Sequence, residues 1–267
     1  MKRTIFILAL FCSIIFCLSA CININPGKIL SGNEILKVQD RGKMDFKAID
    51  ARGAFDVIIS EISDAPVKVS GDENLIDFIE TYVKDGVLTI KFKHENYSTY
   101  STKIGIKITV PNNGQIKSFK SYGASNIIIE GTLVSDNLSI TGSGSAKYYG
   151  NIKVEKCKIK CSGSTEFNMN IEAVMCQMNF SGSTTCNFSG SVDDCKMTVT
   201  GSSDIKGYDL IANKLSYTVY GSSGIQVTCN EELNIRTYGS SDVSYKGTAT
   251  KINKHTAGSS NIIHVYN

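Results

Sequence analysis

A short glycine–serine phrase returns eight times from residue 123 onward, and it constrains the fold more than any other feature. The glycines that mark the copies are Gly123, Gly142, Gly163, Gly182, Gly201, Gly221, Gly239 and Gly258. Successive glycines are 19, 21, 19, 19, 20, 18 and 19 residues apart. So steady a period indicates a repeated structural unit in which each copy stacks on its neighbours.

Apolar and polar residues alternate on both sides of each glycine. Before Gly163, for example, Cys157, Ile159 and Cys161 are separated by lysines, and Phe167 follows the glycine at the same spacing. Such alternation is typical of a half-buried strand, because neighbouring side chains of a strand point to opposite faces. Each repeat therefore offers a strand, a Gly-Ser corner, a second strand and a polar stretch that leads to the next copy.

These repeats predict an all-β fold, a parallel β-helix wound as a solenoid of coils of about 19 residues. Stacked coils would pair each strand with its equivalent about 4.8 Å away and bury an edge that one copy cannot bury alone. A β-propeller is excluded because its blades need about 40 residues. The corner glycine suits positive φ, and the serines and threonines beside it should form columns whose hydroxyls satisfy backbone groups at the turn.

The first 20 residues have the pattern of a bacterial lipoprotein signal peptide. Lys2 and Arg3 precede an apolar stretch, and Leu18-Ser19-Ala20 leads into Cys21. This run resembles a lipobox, whose cysteine is diacylated and becomes the mature N-terminus; an ordinary cleaved signal is the alternative. The lipoprotein interpretation predicts that lipid on Cys21 reaches the membrane. It also predicts an outer-membrane protein of a Gram-negative bacterium, facing the periplasm or the cell surface.

The remainder of the chain is interpreted as a tether, 21–33, and one domain, 34–267. Residues 34–111 are expected to form a less regular β cap with the first coils, and 112–267 the regular repeats. Within the cap, Asp85-Gly86 is typical of a hairpin turn, whereas residues 74–83 fit either a short helix or a strand.

The charge of the chain gives little support for a nucleic-acid partner. Removal of Lys2 and Arg3 leaves 26 basic against 25 acidic residues, and no basic block remains along the sequence. Proteins that bind nucleic acid need a clustered patch of positive charge, so nucleic acid is not expected as a partner.

Several segments together carry a resemblance to a known family. They are Phe55-Asp56-Val57, the hairpin from Val83 to Ile90, the strand before Pro111, and the corners Gly-Ala-Ser-Asn-Ile (123–127) and Gly-Ser-Ser-Asn-Ile (258–262). The layout of 34–267 resembles the auto-transporter adhesin head (GIN) domain lipoprotein family of Bacteroidetes. The resemblance implies a right-handed β-helix and a surface or adhesive role. The family carries no established catalytic residues, so none is transferred to this chain.

Six cysteines lie beyond Cys21, mostly on inward positions. Cys157, Cys176 and Cys195 share one column, 19 residues apart. They are interpreted as small buried apolar residues; a disulfide between neighbouring coils is the alternative, although parallel Cβ vectors suit it poorly. A metal site is disfavoured because there is no Cys-x-x-Cys spacing, and no cofactor is expected.

Two carboxylates supply the case for an enzyme. Asp204 and Asp242 share the position three residues after the corner glycine, two coils apart, which places them about 9.6 Å from each other. That separation is near the upper end for inverting glycosidases, so a carbohydrate-active, pectinase-like enzyme is the alternative function. The rest of their column favours residues that hydrogen-bond their own turn. It reads Asn126, Ser145, Glu166, Thr185, Asp204, Gly224, Asp242 and Asn261.

Three tyrosines stand just before corner glycines on outward positions: Tyr122, Tyr220 and Tyr238. Exposed tyrosines beside rows of Ser, Thr and Asn could stack on sugar rings or contact a protein; the structural alternative is that they cap the corners. The sequence therefore predicts a lipid-anchored, non-catalytic binding or adhesion module whose partner is a glycan or a protein. The oligomeric state stays open.

Overall fold

The computed structural model describes residues 28–93 and 99–266, and it is nearly all-β, with 75% strand, 2% helix and about seven stacked turns of parallel coils. The predicted leader, the lipidation site Cys21 and most of the predicted tether lie outside the described residues. The strands are β1 (Ile29–Ser31), β2 (Leu36–Asp40), β3 (Ala48–Gly53), β4 (Asp56–Ser60), β5 (Lys68–Asp72), β6 (Ile79–Lys84), β7 (Val87–Phe92), β8 (Thr99–Ser101), β9 (Lys107–Pro111), β10 (Ser118–Gly123), β11 (Asn126–Gly144), β12 (Lys147–Gly201), β13 (Asp204–Gly221), β14 (Gly224–Gly239), β15 (Asp242–Lys246), β16 (Lys251–Gly258) and β17 (Asn261–His264).

The predicted parallel β-helix is confirmed. Each regular coil contributes three segments, which we call faces A, B and C. Face A is the segment of each coil that ends at the corner glycine. In the first regular coil this segment is β10, which pairs in parallel with Ser139–Gly144 of the next coil. Face B follows the corner, where Ile127 and Ile128 pair with Tyr148 and Tyr149, and face C is the third segment, where 132–135 pairs with 151–154. The long strands β11 and β12 run through several faces because the backbone keeps strand pairing around the bends.

The corner glycines form one column along the coil axis. They have φ between +89° and +152°, which L side chains rarely adopt. The column contains Gly53, Gly123, Gly144, Gly163, Gly182, Gly201, Gly221, Gly239 and Gly258. A Cβ on any member beyond Gly53 would press on the carbonyl of the glycine one coil before. That carbonyl accepts a hydrogen bond from a backbone N–H of the following coil, that of the residue directly after the corner glycine. Ser145 N, for example, donates to Gly123 O at 2.8 Å.

The prediction that Gly142 forms a corner is wrong, because the corner of that coil is Gly144. Gly144 has φ +104°, whereas Gly142 lies inside the strand on a buried, inward position. A Cβ at Gly142 would overlap the hydroxyl of Tyr148, which hydrogen-bonds to Ser121 Oγ. Gly142 therefore makes room for a buried tyrosine rather than a bend, and the spacing from Gly123 to the next corner is 21 residues.

The predicted hydroxyl column is confirmed two residues after every corner glycine of the repeats except Gly144, where Ala146 takes the place, and most of its members are buried. Ser241 Oγ donates to Gly221 O at 3.0 Å, while Ser223 N donates to Ser241 Oγ at 3.2 Å. The column contains Ser125, Ala146, Thr165, Thr184, Ser203, Ser223, Ser241 and Ser260. Its hydroxyls satisfy backbone groups that would otherwise be buried without a partner at the bend.

The core is a set of stacked columns of inward side chains that runs the length of the coils. Aromatic rings stack within it: Tyr148 on Phe167 with centroids 4.5 Å apart and planes 10° apart, and Phe167 against Phe188 at 5.9 Å. Each such ring buries a large apolar area and prefers offset or tilted contacts of this kind.

The N-terminal part supplies the first coils and a cap, as predicted. β3 pairs in parallel with both β10 and β7, so Gly53 joins the glycine column although 70 residues separate it from Gly123. β6 and β7 form an antiparallel hairpin whose turn, Asp85 and Gly86, has φ of 52° and 71°. The undecided segment 74–83 contains both elements: the four-residue helix α1 (Glu73–Ile76) and the start of β6.

At the other end the last coil is an edge. Within the described residues β16 pairs with β14 and β17 with β15, and neither has a neighbour beyond. Two inward positions there carry polar groups that cover Tyr245: Lys254 Nζ lies 4.5 Å from its ring centroid, and the His264 ring stacks at 4.6 Å. In the described part of the chain no helix is long and apolar enough to cross a membrane.

Candidate binding surface

Face A presents a flat array of polar side chains to solvent. In each of the eight coils from Gly123 to Gly258, the residues five, three and one positions before the corner glycine point outward, which gives 24 positions. Serine, threonine, asparagine, glutamine and tyrosine fill most of them. The cations among them are Lys120, Lys158, Lys160, Lys196 and Arg236, and none of the 24 is acidic.

Two adjoining depressions lie on this face. The first, of ≈480 Å³, has a floor formed partly by Leu138 and Cys157. Its rim carries Lys117, Lys156, Lys158, Lys196 and one acid, Asp194. The second, of ≈360 Å³, is lined mainly by serines, threonines and Lys160. We call the two together the face A groove. Each depression is lined by residues of several successive coils, so the groove follows the coil axis.

The groove lysines lack the ionic partners that some lysines of the other faces have. On face B, Lys147 Nζ lies 2.8 Å from Glu166 Oε2, and on face C, Lys153 Nζ lies 3.1 Å from Glu172 Oε2. Lys147 and the Tyr149 hydroxyl hold the pKa of Glu166 below its ordinary value. Among the described residues no ion pair involves the groove lysines, so the only acid that accompanies them in the lining of the described groove is the unpaired Asp194.

The structure places all three predicted tyrosines on face A, but it does not bring them together. Tyr220 and Tyr238 stack on neighbouring coils with centroids 5.0 Å apart and planes 9° apart, and they are 46% and 36% exposed. His255 lies against Tyr238 at 5.7 Å. Tyr122 occupies the same column five coils before Tyr220, and Arg52 Cζ lies 5.9 Å from the centroid of its ring. The stacked pair is therefore a partly exposed aromatic patch at the C-terminal end of face A.

The carboxylates Asp204 and Asp242 lie on face B, away from the groove. Asp204 pairs with Gly224 and Gly224 with Asp242, so they are two coils apart as predicted. Both side chains are exposed, and Lys206 Nζ lies 3.9 Å from Asp204 Oδ2. Their column differs from the prediction at one position: Lys147, not Ser145, stands three residues after the corner, because the corner is Gly144.

Beneath the groove lies the column of thiols. Cys157, Cys176 and Cys195 are inward and buried, and all six described cysteines are unpaired. Contacts with Cys157 and Cys195, followed by burial, raise the pKa of Cys176 well above its ordinary value. Burial raises the pKa of Cys161 to about 12. The predicted inward placement is confirmed, and no cluster of three or more metal-ligating side chains occurs in residues 28–93 and 99–266.

Sequence reasoning missed the groove lysines, although the signal was present. A search for basic blocks compares residues that are close in sequence. Lys158 and Lys196 are 38 residues apart, and the stacking of the coils places them on the same face, two coils apart. Alignment of the outward positions on the corner glycines would have shown a face with five cations and no acid.

Comparison with known proteins agrees with this architecture. Residues 45–249 match the model of a family described as "Putative auto-transporter adhesin, head GIN domain". A crystal structure from Parabacteroides distasonis, described as a "putative lipid binding protein", is 25% identical with a TM-score of 0.80, covering 90% of this chain and 100% of that one.

Two further crystal structures are described as putative adhesins. The one from Parabacteroides merdae is 21% identical with a TM-score of 0.77, covering 90% of this chain and 100% of its own. The one from Parabacteroides distasonis is 22% identical with a TM-score of 0.76, covering 89% and 100%. At these identities the two structures show the shared fold. No curated protein sequence matches significantly.

Proposed function

The chain belongs to the family described as "Putative auto-transporter adhesin, head GIN domain", and from that premise we propose that it is a non-catalytic, lipid-anchored module of the cell envelope that binds a glycan along face A. Membership of an adhesin family supports a binding role. The observation that carries the finer proposal is the exposed stack of Tyr220 and Tyr238 at the end of a groove lined by hydroxyl and amide side chains.

The chemistry of face A suits sugars. Flat tyrosine rings pack against the apolar faces of sugar rings, while their hydroxyls stay in contact with water. Serine, threonine, asparagine and glutamine supply donors and acceptors for sugar hydroxyls. The rows repeat once per coil, about every 4.8 Å along the axis, so a linear ligand would meet similar contacts at each step.

The anchor is proposed from the Leu-Ser-Ala-Cys run that ends at Cys21. Two acyl chains give stable membrane attachment, which one chain does not. An anchored module would keep face A in the envelope, at the outer membrane, where external or periplasmic glycans occur.

A glycan array probed with the full-length protein tests the proposal, with Tyr220→Ala/Tyr238→Ala as the test variant. We expect glycan binding by the wild type without release of reducing ends, and about tenfold weaker binding by the double variant. Tyr82→Ala is the matched control, because Tyr82 is 41% exposed but lies in the β6–β7 hairpin. Fractionation of cells that express the protein tests the anchor separately: Cys21→Ala should move the protein out of the membrane fraction.

The result that would overturn the proposal is an array without binding, or binding that the double variant retains in full. The alternative, a carbohydrate-active enzyme, predicts a different result: release of reducing ends that Asp204→Asn or Asp242→Asn abolishes.

A further inference from the structure

Building on the proposed function, we infer that the ligand of face A is an acidic polysaccharide that lies along the coil axis, with its charged groups on the lysines of the groove. A neutral glycan would satisfy the hydroxyl rows and the tyrosines. It would leave the groove lysines as they are in the free protein, a cluster of positive charge in which no described lysine forms an ion pair.

The lysines are close enough to repel one another. Lys156, Lys158 and Lys160 alternate along one strand of face A and are all exposed, so neighbours are about 6.6 Å apart along the backbone. Lys196 stands two coils further on, about 9.6 Å away. These separations are within or near the Debye length of about 8 Å at physiological salt, so the free groove bears mutual repulsion that a polyanion would remove.

The charge is also segregated by face rather than spread over the molecule. The 24 outward positions of face A contain five cations and no acid, and Asp194 is the one acid of the groove rim. On face B, Lys147 and Lys206 stand beside Glu166 and Asp204. Because the sequence has nearly balanced charge, a positive face A arises from where the coils place each residue, and it would attract a ligand to that face alone.

The pattern favours a polysaccharide over other polyanions. Single-stranded nucleic acid is held by aromatic side chains that stack on successive bases, whereas the exposed aromatic pair of face A is confined to one end. A membrane surface calls for several protruding apolar side chains beside the cations, whereas the groove has one, Met175, and serine, threonine, asparagine and glutamine fill most of the other outward positions around these lysines. Hydroxyl-rich rows between cations match a chain that carries both hydroxyls and acidic groups.

Binding of polygalacturonate and of its fully methyl-esterified form, measured in calcium-free buffer, tests this inference. The two polymers share a backbone and differ in charge. We expect the wild type to bind polygalacturonate at least about tenfold more tightly than the ester, and to lose that preference as salt rises. Lys158→Gln/Lys160→Gln/Lys196→Gln should weaken binding of polygalacturonate about tenfold or more and leave binding of the ester unchanged.

The matched control is Lys147→Gln/Lys153→Gln/Lys206→Gln, which removes the same net charge from faces B and C. Equal binding of the two polymers, or equal losses in the two triple variants, would overturn the inference while a positive glycan array left the proposed function intact. Tighter binding of anionic phosphatidylglycerol vesicles or of a single-stranded DNA oligonucleotide than of polygalacturonate would also overturn it. If the protein bound neither polymer, the inference would also be overturned. If the glycan array showed no binding as well, the proposed function would be overturned with it.

Discussion

At the scale of single residues, Asp72 shows how one buried carboxylate ties separate segments together. Its side chain is fully buried, yet it accepts hydrogen bonds from Thr102 Oγ1 at 2.7 Å, Lys103 N at 2.9 Å and Glu34 N at 2.9 Å. Burial alone would raise the pKa of Asp72, but these hydrogen bonds outweigh it and lower the pKa to about 2. Ionised Asp72 therefore stabilises the cap, because it holds the chain around residue 34 against the segment before β9.

The lowered pKa predicts how stability depends on pH. A carboxylate whose pKa is lower in the folded state contributes stability that is fully present above its unfolded pKa, near 3.9, and is lost as pH falls towards 2. We expect Asp72→Asn to lower the free energy of unfolding by about 2 kcal/mol at neutral pH. The difference from wild type should shrink between pH 4 and pH 2 in denaturant titrations.

Asp64→Asn is the control for this prediction. Asp64 is highly exposed and pairs with Lys43 at the surface, and such pairs contribute little. A difference between wild type and Asp72→Asn that stays constant across this pH range would contradict the proposed role of the ionised carboxylate.

At the scale of the coil, two glycines of neighbouring columns play different parts. Gly201 is a corner glycine with φ +116°, and a Cβ there would overlap the carbonyl oxygen of Gly182. Gly224 follows the next corner, and the nearest atom to a Cβ there is Asp204 Oδ1 at 3.5 Å, an ordinary contact. The corner column needs glycine, whereas the position of Gly224, three residues after the corner, does not.

We expect Gly201→Ala to lower the free energy of unfolding by about 3 kcal/mol, because it combines a strained backbone with a steric overlap. Gly224→Ala should change it by no more than about 0.5 kcal/mol. Thermal or denaturant unfolding followed by circular dichroism measures both, and equal effects would argue against the requirement for glycine at the corner.

The coil is also the scale at which the sequence was most informative. Alternation around Gly163 and Gly182 predicted inward and outward residues correctly, because a strand of period two inside a period of 19 leaves little choice. Gly142 and Gly144 both fit the corner, and only the space needed by Tyr148 decides between them. Gly53 was missed because its partner in the column is 70 residues away and the cap between them has no period.

Function was less accessible than fold for a related reason. The outward positions of face A have no period of their own, so their charge becomes meaningful only after the coils are placed side by side. The tyrosines were found from sequence because they stand next to the corner glycines. Lys158, Lys160 and Lys196 of the groove lie further from the glycines, at positions where most other coils carry uncharged residues, so no repeated motif marks them.

At the scale of the whole molecule, the two ends are finished differently. The hairpin of β6 and β7 covers the first coil, whereas Lys254 and His264 lie on inward positions of the last coil, over Tyr245. Inward-pointing charged and polar residues are a common means of preventing edge strands from pairing with another chain. We therefore interpret them as groups that keep the open end from joining a second copy.

Replacement of both residues should remove that protection. We expect Lys254→Leu/His264→Leu to form dimers in a concentration-dependent manner, as measured by sedimentation velocity, because it exposes a row of apolar side chains beside an unpaired strand. Lys251→Leu/His255→Leu changes the same residue types on β16 at outward positions and should not dimerise. Equal association of the two variants would show that the inward positions have no special role.

The stacking of self-similar coils has a consequence for how such molecules can diversify. The strands of an interior coil pair only with those of the coils before and after it, so one copy of about 19 residues can be duplicated or deleted without rebuilding either end. Each such event would lengthen or shorten the groove by about 4.8 Å. Relatives that differ in coil number would then select polymers of different minimum length, much as rulers with different numbers of divisions measure different spans.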